Sequence, residues 1–328
     1  MQYVRLGASS LNVSRISIGA MGLGDPSWRS WVLAEGEARP IVRRALDHGI
    51  NLIDTCNYYS AGASEMLIGR LLNGFVARSD LMIASKFGAP MGKGPNQAGY
   101  SRKNVIDSCD ASLKRLGVDY IDLYQPHIWD PSTNLEELVV ALADLVKAGK
   151  VLYLGATDMP VWQFVKAVSF AKLNGLPHFV SMQNHYNLIW RDAETELFPY
   201  CRHEGIGLLP YSPIARGFLS GKHRNEKSTT ERSRTDNFTK EWYSRANDKK
   251  IATSVEEVAR ARGVTPSQIA LAWVLRQPGI SSPVFGVTSI TQLDELMGAF
   301  DIKLSNEEIG LLEADYQPRT SNAHGRFG

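Results

Sequence analysis

A (β/α)8 barrel is the fold that the sequence predicts, because strand-like and helix-like segments alternate along the whole chain of 328 residues. Glycine recurs just after one predicted helix after another, where a left-handed cap suits it. No long linker interrupts the alternation, and α/β barrels often run to about 250 residues or more as one domain. We therefore expect a single α/β domain over residues 1–328, a TIM-type barrel with an N-terminal β-hairpin and extended C-terminal loops.

The elements follow from short apolar runs, read as strands, and from longer amphipathic runs that end near Gly49, Gly117, Gly149, Gly175 and Gly205, read as helices. The N-terminal hairpin is predicted from residues 2–6 and 11–14. The barrel strands are expected at 15–19, 51–54, 81–85, 120–125, 151–156, 179–183, 206–211 and 282–285. The helices are expected at 37–48, 64–72, 101–116, 134–148, 161–173, 193–203, 254–262, 266–276 and 291–300. Proline and glycine after residue 317 predict a mobile tail at 318–328.

The composition narrows the class of function. The formal charge is only +2, from 36 basic and 34 acidic residues, so neither nucleic acid nor an anionic membrane is an expected partner. The histidines and the three cysteines, Cys56, Cys109 and Cys201, have no metal-ligand spacing, so no metal site is expected. An odd number of widely separated cysteines and no signal peptide or membrane span predict a cytoplasmic protein with reduced thiols.

Four chemically active side chains follow predicted strands. Asp54 ends the second barrel strand and Tyr59 lies five residues later, while Lys86 and His127 follow the next two strands. Parallel sheets and barrels place their chemistry at this edge. A lysine cation favours the phenolate of a neighbouring tyrosine, whose ordinary pKa is about 10. The four side chains therefore predict a proton-transfer site suited to carbonyl reduction, with Tyr59 as the acid and with Asp54 holding Lys86 charged.

An open doubly wound sheet with a dinucleotide at its first turn is the alternative architecture. Gly19-Ala-Met-Gly22-Leu-Gly24 has glycines in the order G-x-x-G-x-G, whereas the dinucleotide fingerprint is G-x-G-x-x-G. No predicted helix opens directly after this segment. The barrel is therefore favoured.

These motifs resemble those of the aldo-keto reductase superfamily, and the resemblance covers nearly the whole chain. The family's Asp-Thr-x-x-x-Tyr motif is similar to Asp54-Thr-Cys-Asn-Tyr-Tyr59, and its lysine and histidine fall on Lys86 and His127. The resemblance implies that Tyr59 is the general acid, that Lys86 and Asp54 tune it, and that His127 orients the carbonyl. It also implies a dinucleotide cofactor.

The cofactor positions come from the same resemblance. They are Gly19, Ala20, Met21, Asp54, Thr157, Asp158, Gln183, Tyr211, Ser212, Pro213, Ile214, Ala215, Gly217, Lys222, Arg234, Gly286, Thr288, Ser289, Gln292 and Glu295. Thr157 and Asp158 stand where many members have Ser-Asn, and Leu296 stands where asparagine is common. Arg232 or Arg234 would supply a cation for a 2′-phosphate, which favours NADPH over NADH.

The substrate is indicated only as a class. Seven aromatic residues fall on strand-to-helix loops and predict a mouth for an aromatic or apolar carbonyl compound, although half of them could simply pack loops together: Trp28, Trp31, Tyr58, Phe87, Trp129, Tyr186 and Trp190. The alternative function is an NADP(H)-binding, redox-sensing regulatory subunit with slow turnover, since some barrels of the family act beside ion channels. His127 argues against that alternative, because the channel-associated members lack histidine at this position. The sequence leaves the oligomeric state open.

Overall fold

The computed structural model of the protein describes residues 1–127, 129–221 and 235–319. Its strands begin with an antiparallel hairpin, β1 and β2, and continue with the strands of one parallel sheet. They are β1 (Tyr3–Arg5), β2 (Asn12–Ser14), β3 (Ser17–Gly19), β4 (Leu52–Asp54), β5 (Met82–Phe87), β6 (Ile121–Pro126), β7 (Val151–Thr157), β8 (Phe179–Gln183), β9 (Gly207–Leu208) and β10 (Val284–Phe285). The hairpin and each barrel strand lie within a range expected from the sequence or overlap it.

The helices alternate with the strands. They are α1 (Glu35–Asp47), α2 (Ala63–Leu72), α3 (Arg102–Leu116), α4 (Leu135–Lys147), α5 (Val161–Leu173), α6 (Leu197–Glu204), α7 (Asn237–Trp242), α8 (Ala246–Arg262), α9 (Pro266–Leu275), α10 (Ile290–Met297) and α11 (Asn306–Glu313). Local chemistry explains several of the ends. Ser101 accepts a hydrogen bond from the Asn104 N–H at the start of α3, and Gly117 ends α3 in the left-handed conformation.

The sheet closes on itself. Its strands pair in parallel in the order β10-β3-β4-β5-β6-β7-β8-β9. Isolated parallel bridges between Leu208 and Ile280 and between Tyr211 and Val284 join the segment around β9 to the segment around β10. Since helices cover the outside between successive strands, the chain forms the (β/α)8 barrel that its sequence predicts.

The hairpin covers the end of the barrel where the strands begin. Leu6 and Val13 belong to one buried cluster with Leu52, Met82 and Leu123 from the barrel strands. Asn51, just before β4, accepts a hydrogen bond from the Ser14 backbone N–H at 2.8 Å. A larger apolar cluster fills the space between the sheet and the helices. A cleft opens at the opposite end of the barrel, where the strands finish.

Three helices differ most from the prediction. Helix α8 begins at Ala246, eight residues before the expected 254, because its first turns carry polar residues such as Lys249 and Lys250 that hide the apolar period. Helices α7 and α11 were not predicted, since they have only six and eight residues and periodicity is weak over so short a length. Arg319, within the expected tail, is buried in an ion pair with Asp248, and residues 320–328 lie outside the described part of the chain.

None of the helices in the described ranges is long and apolar enough to cross a membrane.

The contact between α2 and α3 gives a test of packing. A Cβ atom on Gly69 would lie 2.2 Å from the Leu116 carbonyl oxygen, a backbone atom that cannot move aside cheaply. We expect Gly69→Ala to destabilise the protein by about 1–3 kcal/mol, as overpacking does. Gly74→Ala is the matched control, because a Cβ atom there meets nothing within 4 Å, and it should change stability by less than about 1 kcal/mol. Urea unfolding would measure both, and equal midpoints for the two variants would contradict the packing argument.

Candidate active site

The predicted catalytic residues converge at the end of the barrel where the strands finish. Asp54 is the last residue of β4, Lys86 is the next-to-last residue of β5, and His127 follows β6 directly. Tyr59 begins the turn between β4 and α2. Asp54, Tyr59 and His127 line a cleft of about 1140 Å³, and Lys86 lies fully buried behind them. The structure thus brings together all four residues that the sequence selects.

Lys86 and Asp54 form a buried ion pair, in which the Lys86 ammonium donates to Oδ1 of Asp54 and, at 3.1 Å, to the Thr55 carbonyl. Gln183 and Gln125 donate to the other carboxylate oxygen at 2.9 and 3.3 Å. Burial disfavours the charge of Lys86, but Asp54, and after it Tyr59, outweigh burial and raise the pKa of Lys86 above its ordinary value. Lys86 therefore stays a cation at every physiological pH.

Gln125 is not among the residues predicted from the sequence, although its position in the chain could have indicated it. It faces Lys86 across the β5–β6 ladder and lies two residues before His127. Alternate residues of a strand point to the same side, so His127 predicts a polar partner at 125.

A left-handed turn places the phenol of Tyr59. Ser60 and Ala61, directly after it, have φ angles of 49° and 51°, which cost free energy for residues other than glycine. The turn packs against Gly24, where a Cβ atom would lie 2.6 Å from the Ser60 hydroxyl. Gly24 therefore serves close packing against the catalytic turn.

Two opposing effects set the acidity of Tyr59. Burial raises the pKa of Tyr59 well above its ordinary value, and Lys86, whose Nζ lies 5.2 Å from the ring centroid, lowers that pKa by less than burial raises it. The lowering by Lys86 that the sequence predicts is present, but burial, which the sequence does not show, outweighs it. The phenol is therefore protonated at neutral pH, as a proton donor must be.

His127 lies against Tyr59, with ring centroids 5.8 Å apart and the planes nearly perpendicular. Burial, and next Lys86, lower the pKa of His127 to about 3, so the ring is neutral. Its Nδ1 lies 3.2 Å from Sγ of Cys56. Burial raises the pKa of the Cys56 thiol to about 12, so the sulfur keeps its proton and can donate it to Nδ1. A ring that accepts at Nδ1 carries its own proton on Nε2.

Most of the predicted cofactor positions line the same cleft. They are Gly19, Met21, Asp54, Thr157, Asp158, Gln183, Tyr211, Ser212, Pro213, Ile214, Gly217, Gly286, Thr288, Gln292 and Glu295. Ala20, Ala215 and Ser289 are not on the cleft wall. Lys222, Arg232 and Arg234 lie outside the described residues.

Tyr211 and Asp158 are held as a unit. The Tyr211 ring stacks on His185 at 5.2 Å with an interplanar angle of 7°, and its hydroxyl donates to Asp158 at 2.8 Å. The His185 backbone N–H donates to the other Asp158 oxygen at 3.3 Å. Burial raises the pKa of Asp158 to about 7, and the two hydrogen bonds oppose it only in part. Asp158 therefore changes its charge near neutral pH.

Two buried polar groups face the cleft beside this unit. Thr157 pairs with Gln183 across the β7–β8 ladder, and both side chains line the wall. The Thr157 hydroxyl has no hydrogen-bond partner within the described part of the chain. Since a buried hydroxyl without a partner costs free energy, this position is suited to a polar ligand.

The far end of the cleft begins at helix α10. Ser289 caps that helix by accepting from the Gln292 N–H, and Gln292 accepts from both the N–H and the hydroxyl of Thr288. Glu295 accepts a hydrogen bond of 2.6 Å from the Thr265 hydroxyl. Leu296 is buried and lies on the wall. Protein contacts already hold these polar groups in place.

The aromatic residues divide into two groups. Trp28, Trp31, Tyr58 and Trp129 line the cleft, whereas Phe87, Tyr186 and Trp190 are buried away from it. The sequence missed further wall residues on segments that follow β9: Arg216, Phe218, Phe238, Trp242 and Tyr243. It also missed Arg29, between the two tryptophans. Loop residues carry no periodicity, so only the tertiary structure shows which side of a loop faces the cleft.

Asp158 gives a prediction on pH. Folding raises the pKa of the Asp158 carboxyl group, so the native state binds the proton more tightly than the unfolded state does. The native protein therefore loses stability as the pH rises from the unfolded pKa of about 3.9 to the folded pKa of about 7. Asp158→Asn should therefore be stabilised relative to the wild type by roughly 2–3 kcal/mol more at pH 8 than at pH 5. Exposed Asp119→Asn is the control. Urea unfolding at both pH values would measure the difference, and one that is the same at both would exclude a shifted Asp158.

Comparison with known proteins agrees with the geometry. The family model described as Aldo/keto reductase family matches residues 15–316. Versiconal hemiacetal acetate reductase of Aspergillus parasiticus is 38% identical, with 97% of this chain and 98% of the relative covered. A putative aryl-alcohol dehydrogenase of Schizosaccharomyces pombe is also 38% identical, with 96% of each chain covered. An aldo-keto reductase of Alternaria alternata is 37% identical over 98% of this chain and 93% of its own.

The barrel, the four predicted catalytic side chains at its open end and these similarities lead to one assignment. The chain belongs to the aldo/keto reductase family and is an oxidoreductase of the kind that acts on carbonyl groups.

Proposed function

We propose that the protein reduces an aldehyde or a ketone to the alcohol with NADPH, and that Tyr59 donates the proton. The observation that carries the proposal is the convergence of a protonated phenol, a buried ammonium and a neutral imidazole at one end of a cleft. NADPH, when bound, supplies the hydride. The chain's own residues supply the proton and the site for the carbonyl oxygen.

Each residue has a role that its surroundings support. The Tyr59 O–H donates to the carbonyl oxygen as negative charge develops there, and the Lys86 ammonium stabilises the phenolate that remains. Asp54 keeps Lys86 charged and directs it. When the Cys56 thiol donates to its Nδ1, the neutral His127 ring carries its proton on Nε2 and donates a second hydrogen bond to the same oxygen. The high pKa of Tyr59 suits the reduction direction, since the acid holds its proton until the carbonyl oxygen becomes basic.

The cleft also fits a nicotinamide dinucleotide. Its volume exceeds that of a typical small-molecule site of about 300–1,000 Å³, and it extends from the catalytic residues to the start of α10. Thr157 offers a buried hydroxyl that no described residue satisfies, beside Gln183, where a carboxamide would meet them. Asp158 can also donate a hydrogen bond to the carboxamide when its carboxyl group is protonated, as the amide of an asparagine would.

Tyr59 is tested by removing one oxygen atom. Tyr59→Phe should lower kcat for aldehyde reduction by about 10²–10⁴-fold, because a positioned general acid contributes that much, and leave NADPH affinity nearly unchanged. Tyr58→Phe is the matched control, since Tyr58 lines the same cleft and packs edge-on against Trp28, and it should retain most of the activity. Single-turnover reduction would measure both. A Tyr59→Phe enzyme that keeps more than about a tenth of the rate would remove Tyr59 from this role.

The choice of NADPH is tested at Arg232 and Arg234. A 2′-phosphate needs cations and donors, and these arginines precede the described segment that begins at residue 235. Replacing both with alanine should weaken NADPH binding by roughly 2–4 kcal/mol and NADH binding much less. Arg43→Ala, on the outer helix α1, is the control. Tryptophan fluorescence quenching would measure both affinities, and equal losses for the two cofactors would refute a 2′-phosphate role.

A further inference from the structure

Arg29 is a cation on the wall of the cleft that lies against aromatic rings and, among the residues that the structure describes, contacts no carboxylate. Its guanidinium carbon lies 4.4 Å from the ring centre of Trp28 and 5.6 Å from that of Trp31. Within the described part of the chain it forms no ion pair, and its side chain donates no hydrogen bond. A guanidinium held by aromatic rings keeps its in-plane N–H groups for another acceptor.

The charged groups near Arg29 compensate its positive charge only in part. Burial lowers the pKa of Arg29, Asp236 partly opposes the change, and Arg216 adds to it. Asp236 cannot serve as a full partner, because Arg216 already binds its carboxylate, with Nε at 2.8 Å. Their side chains are 6% and 0% exposed, so this second pair is neutral and dry. Among Arg29, Arg216 and Asp236, one positive charge is therefore left over, and it is that of Arg29.

The contacts of Trp28 set an upper limit on the distance from Arg29 to Tyr59, and a small aromatic molecule fits within that limit. The Trp28 ring that supports Arg29 lies 6.5 Å from the Tyr59 ring, centre to centre. The guanidinium carbon of Arg29 is therefore no farther from the centre of the Tyr59 ring than this 6.5 Å plus the 4.4 Å between Arg29 and the Trp28 ring centre. A molecule that spans the gap with its carbonyl at Tyr59 has a ring beside Trp28, in edge or face contact.

We infer that Arg29 selects aromatic aldehydes or ketones that carry a carboxylate, with the carboxylate bound by the guanidinium while the carbonyl lies at Tyr59. The inference rests on the proposed function and specifies the substrate class of the same cleft. A carboxylate is the anion that matches the planar fork of arginine, with two parallel N–H···O bonds. It also compensates the half-buried charge of Arg29, with which no residue in the described ranges forms an ion pair.

The test compares 4-carboxybenzaldehyde with its methyl ester, which has nearly the same shape but no charge. The ratio of their kcat/KM values should fall about tenfold or more in Arg29→Met, because a charge-assisted hydrogen bond is lost while the apolar stem against the tryptophans remains. Arg29→Lys should keep part of the ratio, since it keeps the charge without the fork. Lys240→Met is the control for long-range attraction: Lys240 is an exposed cation on the same cleft, and its removal should change the ratio by less than about threefold.

Binding is measured separately, so that the two proposals fail in different ways. Calorimetry with 4-(hydroxymethyl)benzoate and with its methyl ester reports on Arg29 without turnover. A wild type that reduces neither aldehyde contradicts the proposed function, whereas tighter binding of the acid that Arg29→Met abolishes still supports the inference. An unchanged acid-to-ester ratio in a folded Arg29→Met overturns the inference. The inference is also overturned if Arg29→Met lowers kcat/KM equally for both substrates and weakens NADPH binding, since Arg29 would then contact the dinucleotide.

Discussion

The buried pair between Lys86 and Asp54 is the interaction on which the rest of the site depends. Two charges taken out of water are tolerated only when further hydrogen bonds satisfy them, and here Gln125, Gln183 and the Thr55 carbonyl do so. Removing one member of such a pair typically costs about 3–5 kcal/mol, because the other charge stays buried. The partners come from β4, β5, β6 and β8, so the pair also ties together strands that are distant in sequence.

The charged side chains of the cleft differ in how fully neighbouring groups compensate their charge. This difference separates charges with a structural role from candidate binding groups. Lys86 and Arg216 each have a buried carboxylate partner, so they are structural or tuning charges. Arg29 has aromatic rings in place of a carboxylate. Asp158 is held by the Tyr211 hydroxyl and the His185 N–H, which are neutral donors. On the inference drawn above, a carboxylate of the substrate would supply the negative charge that Arg29 lacks among the described residues.

Backbone strain is found at the same place. In the described ranges, the residues other than glycine with left-handed φ angles are Ser60, Ala61, Asp158, Ser212, Ala215 and Arg216. All of them belong to loops that follow barrel strands and border the cleft. Each such residue costs of order 1–3 kcal/mol, which only a rigid surrounding structure can hold. The barrel, closed below by its hairpin, provides that rigidity, and the loops use it to aim Tyr59 and Asp158.

The sequence by itself determined the order of the elements and that Asp54, Tyr59, Lys86 and His127 meet at one end of the barrel. Strand and helix periods are local, and a residue that ends a parallel strand must lie at the active edge of the sheet. The tertiary structure decided the rest. It showed that burial outweighs Lys86 in setting the pKa of Tyr59, and that Phe87 and Trp190 pack inside while Arg29 faces the cleft. These outcomes depend on how far each group is withdrawn from water and on which charges lie near it, and both are properties of atoms brought together from distant parts of the chain.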